Sequence, residues 1–307
     1  MIEAKGLSRR FGDLLAVDCI DFSIEPGTVL GLLGPNGAGK STTMKMLTGF
    51  LTPSAGTAVI YGHDIQREPM AARRRLGYLP EGAPLYGELS VLRFLQFIAD
   101  ARGLRGPARR QRISEVVDRL SLTEVMGQSI ETLSKGFKRR VGLAQAILHD
   151  PPALLLDEPT DGLDPNQKHE VRRLIREMAE DKIILVSTHI LEEVEALCNR
   201  TMIIARGRLL LDDTPQGLLR RSRYHGAVSL SLPNVEDAAS QLGALAESAE
   251  VEIRRGRLTV FPSSQPGLFE AVSRVIQEKG WAVEHLEYEA GRLDEVFRRV
   301  TSGEISA

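Results

Sequence analysis

The sequence predicts an α/β domain wound around a phosphate-binding loop, broken by a helical insert and followed by a small α+β unit. Three observations predict it. Gly34-Pro35-Asn36-Gly37-Ala38-Gly39-Lys40-Ser41-Thr42 fits the spacing G-x-x-x-x-G-K-[ST] and stands between an apolar run and a short helical pattern. About 120 residues later the apolar run Ala153–Leu156 ends in Asp157-Glu158. Between the two, from about 85 to 150, apolar residues recur at helical spacing.

From the N-terminus, Ile2 to Arg10 alternates as an edge strand would, and Phe11-Gly12-Asp13 marks a turn. Val17 to Ile24 resumes strand character before Pro26-Gly27. Phe11 precedes the glycine-rich loop, where an aromatic ring can stack on an adenine; a place in the core accounts for it equally well on local grounds.

The run Thr28–Leu33 reads as a buried strand leading into the loop, and Thr43–Thr48 as a helix stopped by Gly49. Glycines at 34, 37 and 39 allow the loop to turn with its amides inward, with no side chain blocking a phosphate. The helix that follows offers unpaired N–H groups and a positive dipole end to the same anion. Lys40 can reach the outer phosphates as a point charge, and Ser41 can place its hydroxyl on Mg²⁺. The loop therefore implies a phosphate ligand with Mg²⁺.

Gly56–Gly62 reads as a short strand, and Leu76–Leu79 as another that ends at Pro80-Glu81. In the insert, Ser90 caps a helix over Val91–Arg102, and Pro107 opens a second with Ile113, Val116, Val117 and Leu120 on one face. Thr132 to Lys138 introduces a third helix over Arg139–Leu148. Sheet character returns at Ala153. Asp157 can hold a water of the Mg²⁺ shell, while Glu158 can orient or polarise an attacking water. The strand Lys182–Thr188 delivers His189 at its C-terminal edge, where α/β sheets place ligands, and contact with the γ-phosphate is the expectation.

Bulk properties narrow the field. The 307 residues suffice for one large domain and one small one, and 42% hydrophobic with 26% charged residues is ordinary for a globular protein. A net charge of −2 gives no argument for nucleic-acid binding. Cys19 and Cys198 are far apart and lack metal-ligand spacing, which suggests a reducing compartment. No apolar stretch approaches the roughly 18 residues a bilayer span needs, and no signal pattern opens the chain. Action on a membrane would go through a partner.

Together these motifs resemble the ATP-binding subunit of an ABC transporter over about Met1 to Arg220. Phe11 matches the adenine-stacking aromatic, Gly34–Thr42 the Walker A loop, and Tyr78-Leu79-Pro80-Glu81 the Q-loop position. Leu133-Ser134-Lys135-Gly136-Phe137 matches the signature, Leu154–Glu158 Walker B, Gly162-Leu163-Asp164 the D-loop, and His189 the switch histidine. Glu81 replaces the usual glutamine; it would still offer Mg²⁺ an oxygen, with an added negative charge. Lys135 and Phe137 depart from the usual signature residues, and Gly162 stands where serine or alanine is common. These departures resemble the exporter branch of drug-efflux, sodium-extrusion and gliding-motility ATPases.

The resemblance implies an ATPase that powers a separate integral-membrane permease from the cytoplasmic face of the inner membrane, as a peripheral subunit. It also implies a head-to-tail homodimer, in which Ser134 and Gly136 of one copy cover the ATP held by the other. A soluble ABC ATPase switching a non-transport partner is the alternative. Ribosome-associated relatives usually carry two cassettes and chromosome-maintenance relatives a long coiled coil, and neither pattern is present here. The domains expected are 1–222, with its helical part at about 85–150, and 223–307. The latter reads βαββαβ, a ferredoxin-like order without a catalytic constellation. Its strands are expected at 227–232, 250–254, 258–261 and 281–286, with helices at 235–242, 267–277 and 293–300.

Overall fold

A computed structural model describes residues 1–304; the last three residues of the 223–307 assignment lie outside the described ones. The chain divides into two compact units, Met1–Asp213 and Thr214–Ala307.

In the first unit, β1 (Ile2–Phe11) and β2 (Leu14–Ile24) form a hairpin, followed by β3 (Val29–Leu33), α1 (Lys40–Leu47), β4 (Ala55–Ile60), the two-residue β5 (His63–Asp64) and α2 (Pro69–Arg74). Strand β6 (Leu76–Leu79) leads to the insert of α3 (Val91–Ala101), α4 (Gly106–Arg119) and α5 (Lys135–Ile147). Then come β7 (Ala153–Asp157), α6 (Pro165–Met178), β8 (Ile183–Thr188), α7 (Leu191–Leu197), β9 (Arg200–Ala205) and β10 (Arg208–Asp213).

Two sheets result, an antiparallel one ordered β2-β1-β4-β5 and a six-stranded one ordered β10-β9-β3-β8-β7-β6. Strand β1 is not the edge strand its alternation suggested. It pairs antiparallel with both β2 and β4, which its sequence cannot announce because β4 arrives some fifty residues later. The six-stranded sheet is parallel except for β10, and every residue of β3, β7 and β8 is buried, so these strands read as unbroken apolar runs. Met44, Met46 and Leu47 of α1 join Ile2, Leu7, Ile24, Leu30 and Leu185 in a core shared by the two sheets.

The strand order is what builds the site. Because β3, β8, β7 and β6 are consecutive neighbours and parallel, the segments leaving their C-terminal ends emerge side by side. These segments begin at Gly34, His189, Glu158 and Pro80. In the insert, Ser90 caps α3 by accepting from the Arg93 amide at 3.3 Å, and Ser134 caps α5 by accepting from the Phe137 amide at the same distance. Helix α5 lies tight against β6: a Cβ on Gly77 would stand 2.1 Å from the Ala146 carbonyl oxygen.

The second unit contains α8 (Pro215–Arg220), β11 (Val228–Ser231), α9 (Val235–Gly243), β12 (Ser248–Arg254), β13 (Arg257–Pro262), α10 (Leu268–Lys279), β14 (His285–Tyr288) and α11 (Leu293–Ser302). Its antiparallel sheet, ordered β12-β13-β11-β14, has the ferredoxin-like arrangement. The last strand starts at His285 rather than Trp281. Trp281 and Val283 instead pack on the small core around Val228, Leu230 and Val260, so their apolar character belongs to the connection after α10.

Candidate functional site

The phosphate loop closes on itself before any ligand is considered. Pro35, Asn36 and Gly37 are exposed at its tip, whereas Ala38, Gly39 and Lys40 are buried. Gly39 has φ of +107°, and a Cβ there would stand 2.6 Å from the Ala16 carbonyl oxygen, so no other residue fits without strain. Lys40 donates to the carbonyls of Gly34 at 2.6 Å and Pro35 at 3.1 Å, which curls the loop around its ammonium. Burial lowers the Lys40 ammonium from its ordinary range, while the carboxylates of Glu158, Asp157 and Glu81 act to raise it. Ser41 and Thr42 are half-buried at the start of α1.

Beside the loop, Asp157 ends β7 almost fully buried. Its Oδ1 accepts from Ser187 of β8 and lies 3.5 Å from the Ser41 hydroxyl. Its Oδ2 is buried and without a hydrogen-bond partner among the described residues. An unused carboxylate oxygen next to a serine hydroxyl is a donor set suited to Mg²⁺, which binds through one or two protein ligands and completes its shell with water and phosphate oxygens. The described residues hold no cluster of three or more His, Cys, Asp or Glu placed for a metal. Glu81 is exposed in the segment after β6, within electrostatic reach of Lys40.

Glu158 follows Asp157 with φ of +49°, a left-handed conformation uncommon for a residue with a side chain. Its amide donates to the Ser187 carbonyl at 3.1 Å, and its Oε1 is 2.8 Å from Nδ1 of His189. Loop, carboxylates and histidine therefore converge at one edge of the sheet. A model of the ABC transporter family matches residues 17–161. Over nearly its whole length the chain is 33% identical to the Nod factor export ATP-binding protein I of Cupriavidus metallidurans, covering 99% of this chain and 98% of that one.

The chain belongs to the ABC transporter family, as an ABC-type ATPase. It is also 40% identical over 223 residues to the probable multidrug ABC transporter ATP-binding protein YbhF of Escherichia coli. That match takes in 72% of this chain but spans only 38% of the relative. Among solved structures, the ATP-binding subunit of an ABC transporter superposes with a TM-score of 0.67 at 32% identity, over 72% of this chain and 92% of the other.

Not every residue of the ABC motifs reaches this cluster. No hydrogen bond links Ser134 or Gly136 to the phosphate loop among the described residues. Ser134 is exposed at the start of α5, whereas Gly136 is buried with the Gln167 side chain packed over it. Phe11 is exposed at the end of β1, with the Arg9 guanidinium 4.6 Å from its ring centre.

Two buried charged residues that the motif reading passes over tie the site together. Arg139 of α5 donates to the carbonyls of Asp157 at 2.5 Å, Pro159 at 3.1 Å and Pro80 at 3.4 Å. Glu193 of α7 accepts from the hydroxyls of Thr160 and, at 2.9 Å, Thr188, joining the segments that follow β7 and β8. Helical spacing is the signal that could have found Arg139. It lines up with Gly142, Leu143 and Ala146 at i+3, i+4 and i+7, on the buried face of α5.

Proposed function

We propose that this chain hydrolyses MgATP to drive a separate integral-membrane permease, an exporter, from the cytoplasmic face of the inner membrane. The observation that carries the reading is the convergence of Lys40, Asp157, Glu158 and His189 at the C-terminal edge of β3, β7 and β8. The relative named for Nod factor export supports the direction of transport. No helix among the described residues is long and apolar enough to cross a membrane.

The loop amides and Lys40 hold the β- and γ-phosphates. An incoming polyanion restores to the buried ammonium the countercharge that Glu158, Asp157 and Glu81 now supply only in part. Ser41, Asp157 and Glu81 would hold Mg²⁺, which when bound neutralises charge on the phosphate oxygens. Glu158 orients a water for in-line attack on the γ-phosphorus; the new P–O bond forms as the bond to the β-phosphate oxygen breaks, giving ADP and inorganic phosphate. His189 fixes the Glu158 carboxylate from the neighbouring strand end and contacts the γ-phosphate. Phe11 offers the exposed face of its ring to the adenine.

Ser134 stands exposed at a helix N-terminus and unused within its own chain's phosphate site. This supports a two-fold homodimer in which each Ser134 and Gly136 cover the nucleotide of the other copy. Admission of the γ-phosphate requires the Gln167 side chain to leave Gly136. Toward the permease, a groove of about 740 Å³ opens beside Glu81, lined in part by Phe50, Tyr78, Pro84, Ile98 and Arg102. Phe50 of this groove stands exposed, as do Tyr86 and Phe97, whose rings meet edge to face with centroids 5.6 Å apart, apolar surface suited to a permease's cytoplasmic segment.

Purification from membranes tests the reading. The tagged chain should bring down a multi-span protein in stoichiometric amount, and the pair reconstituted in vesicles should hydrolyse ATP faster than the chain alone. Recovery of the chain only from the soluble fraction, with a nucleotide-dependent soluble partner, would favour the switch reading.

A further inference from the structure

The cluster described above leaves one buried charge without a role. Arg139 is only 5% exposed, and its guanidinium spends its donors on main-chain carbonyls rather than on any carboxylate. Two of those carbonyls, of Asp157 and Pro159, flank Glu158 on either side. The third, of Pro80, immediately precedes Glu81. A planar fork with five fixed donors can bridge two separate loops in a way that a point charge on a flexible stem cannot. Its neighbouring charges are the carboxylates of Asp161, Asp157, Glu158 and Glu81, all of which favour the guanidinium. Ser134, which caps α5, is only five residues from Arg139.

We propose that Arg139 is a positioning residue that clamps the Glu158 turn and the Glu81 segment to the signature helix, so that the water-orienting carboxylate is set by the helix that carries Ser134. The inference rests on Glu158 acting as proposed above. Glu158 holds a left-handed backbone conformation that residues with a side chain seldom adopt, so the turn needs an outside restraint. The amide of Glu158 is held by Ser187, and the amide of Asp161 returns to the Glu158 carbonyl at 3.1 Å. The carbonyls before and after Glu158 are held by Arg139. Without the guanidinium, both carbonyls would be buried with one restraint fewer, and the carboxylate would lose its fixed approach. Phosphate binding through Lys40 and the loop amides makes no use of Arg139.

The separation of kcat from KM is therefore the readout. In Arg139→Gln, which fills part of the space but cannot span both loops, kcat should fall about 10- to 100-fold while KM for MgATP stays within about twofold. Arg139→Lys, which keeps the charge and several donors, should lie between Arg139→Gln and the wild type. In Arg139→Ala, added methylguanidinium at a non-denaturing concentration should recover part of kcat, a response that a fold-wide loss would not show. Folded fraction is followed by melting of each variant; if Ala fails to fold, Gln and Lys carry the test. A kcat lowered only in proportion to unfolded protein, or a raised KM with kcat intact, would overturn the clamp. Glu158→Gln run in parallel separates the two assignments. If that variant is inactive and Arg139→Gln is normal, only the present inference fails; if Glu158→Gln turns over at the wild-type rate, the reading of Glu158 fails and takes the clamp with it.

Discussion

His189 Nδ1 stands 2.8 Å from Glu158 Oε1, although the two residues are 31 positions apart and belong to the ends of different strands. The pairing follows from β7 and β8 being parallel neighbours with Asp157, one residue before Glu158, opposite Ser187, two residues before His189. Glu158 is thereby held from the side by an exposed imidazole while its backbone is held from beneath.

Replacing Glu158 by Gln should keep MgATP bound within about twofold but lower kcat by about 10²- to 10⁴-fold, because the water loses its orienting base. His189→Ala should lower kcat by about 10²-fold, and the double variant should be little worse than Glu158→Gln alone, since the two act as a unit. Single-turnover hydrolysis and equilibrium nucleotide binding separate the effects. Additive losses would show two independent roles.

Lys40→Ala removes a charge-assisted bond to the outer phosphates, worth about 1.5–3 kcal/mol, or about 10- to 100-fold in affinity. The rise in melting temperature that MgATP produces in the wild type should vanish at the same nucleotide concentration. A variant that keeps the full shift would place the phosphates elsewhere.

A shared site has a distinctive genetic arithmetic. Glu158→Gln spoils the water side of a site, and Ser134→Arg should spoil the covering surface through its bulk. Each homodimer then has two defective sites and should be nearly inactive. In a mixed dimer one site carries both defects, and the other joins intact Walker residues to an intact signature. Mixing the two proteins should restore part of the hydrolysis, with heterodimers verified by two affinity tags. Verified heterodimers without recovered activity would end the model of independently turning, shared sites.

Acid stability should depend on His149. Burial pushes its imidazole from 6.5 down to about 4, with Arg102 acting in the same direction, and Nε2 lies 3.1 Å from the Leu76 carbonyl, a bond that the neutral ring makes as donor. The folded state therefore binds fewer protons than the unfolded one between these values. The contribution is fully present above about 6.5 and is lost as the pH falls toward 4, amounting to about 2–3 kcal/mol. Urea unfolding of the wild type and His149→Gln, compared at neutral pH and near pH 4, should show a smaller acid loss in the variant. Equal losses would assign the acid sensitivity to other groups.

The sequence by itself determined where the motifs of the candidate nucleotide site lie. Gly34–Thr42, Asp157, Glu158 and His189 announce themselves because each sits where a short apolar run stops, and local spacing suffices to read strand, loop and helix there. The cap of α3 at Ser90 was legible for the same reason, a hydroxyl just before a periodic run, whereas α5 begins at Lys135, four residues before the Arg139 start that its spacing suggested. What only the tertiary structure decided are the relations across distant segments. The place of β1 between β2 and β4, the 2.8 Å pairing of His189 with Glu158, and the start of β14 at His285 all depend on which neighbour arrives from elsewhere in the chain. So does the meaning of Arg139 and Glu193. A charged side chain in a helix reads as solvated by default, and only packing shows that carbonyls and hydroxyls of other loops replace the water it would otherwise need.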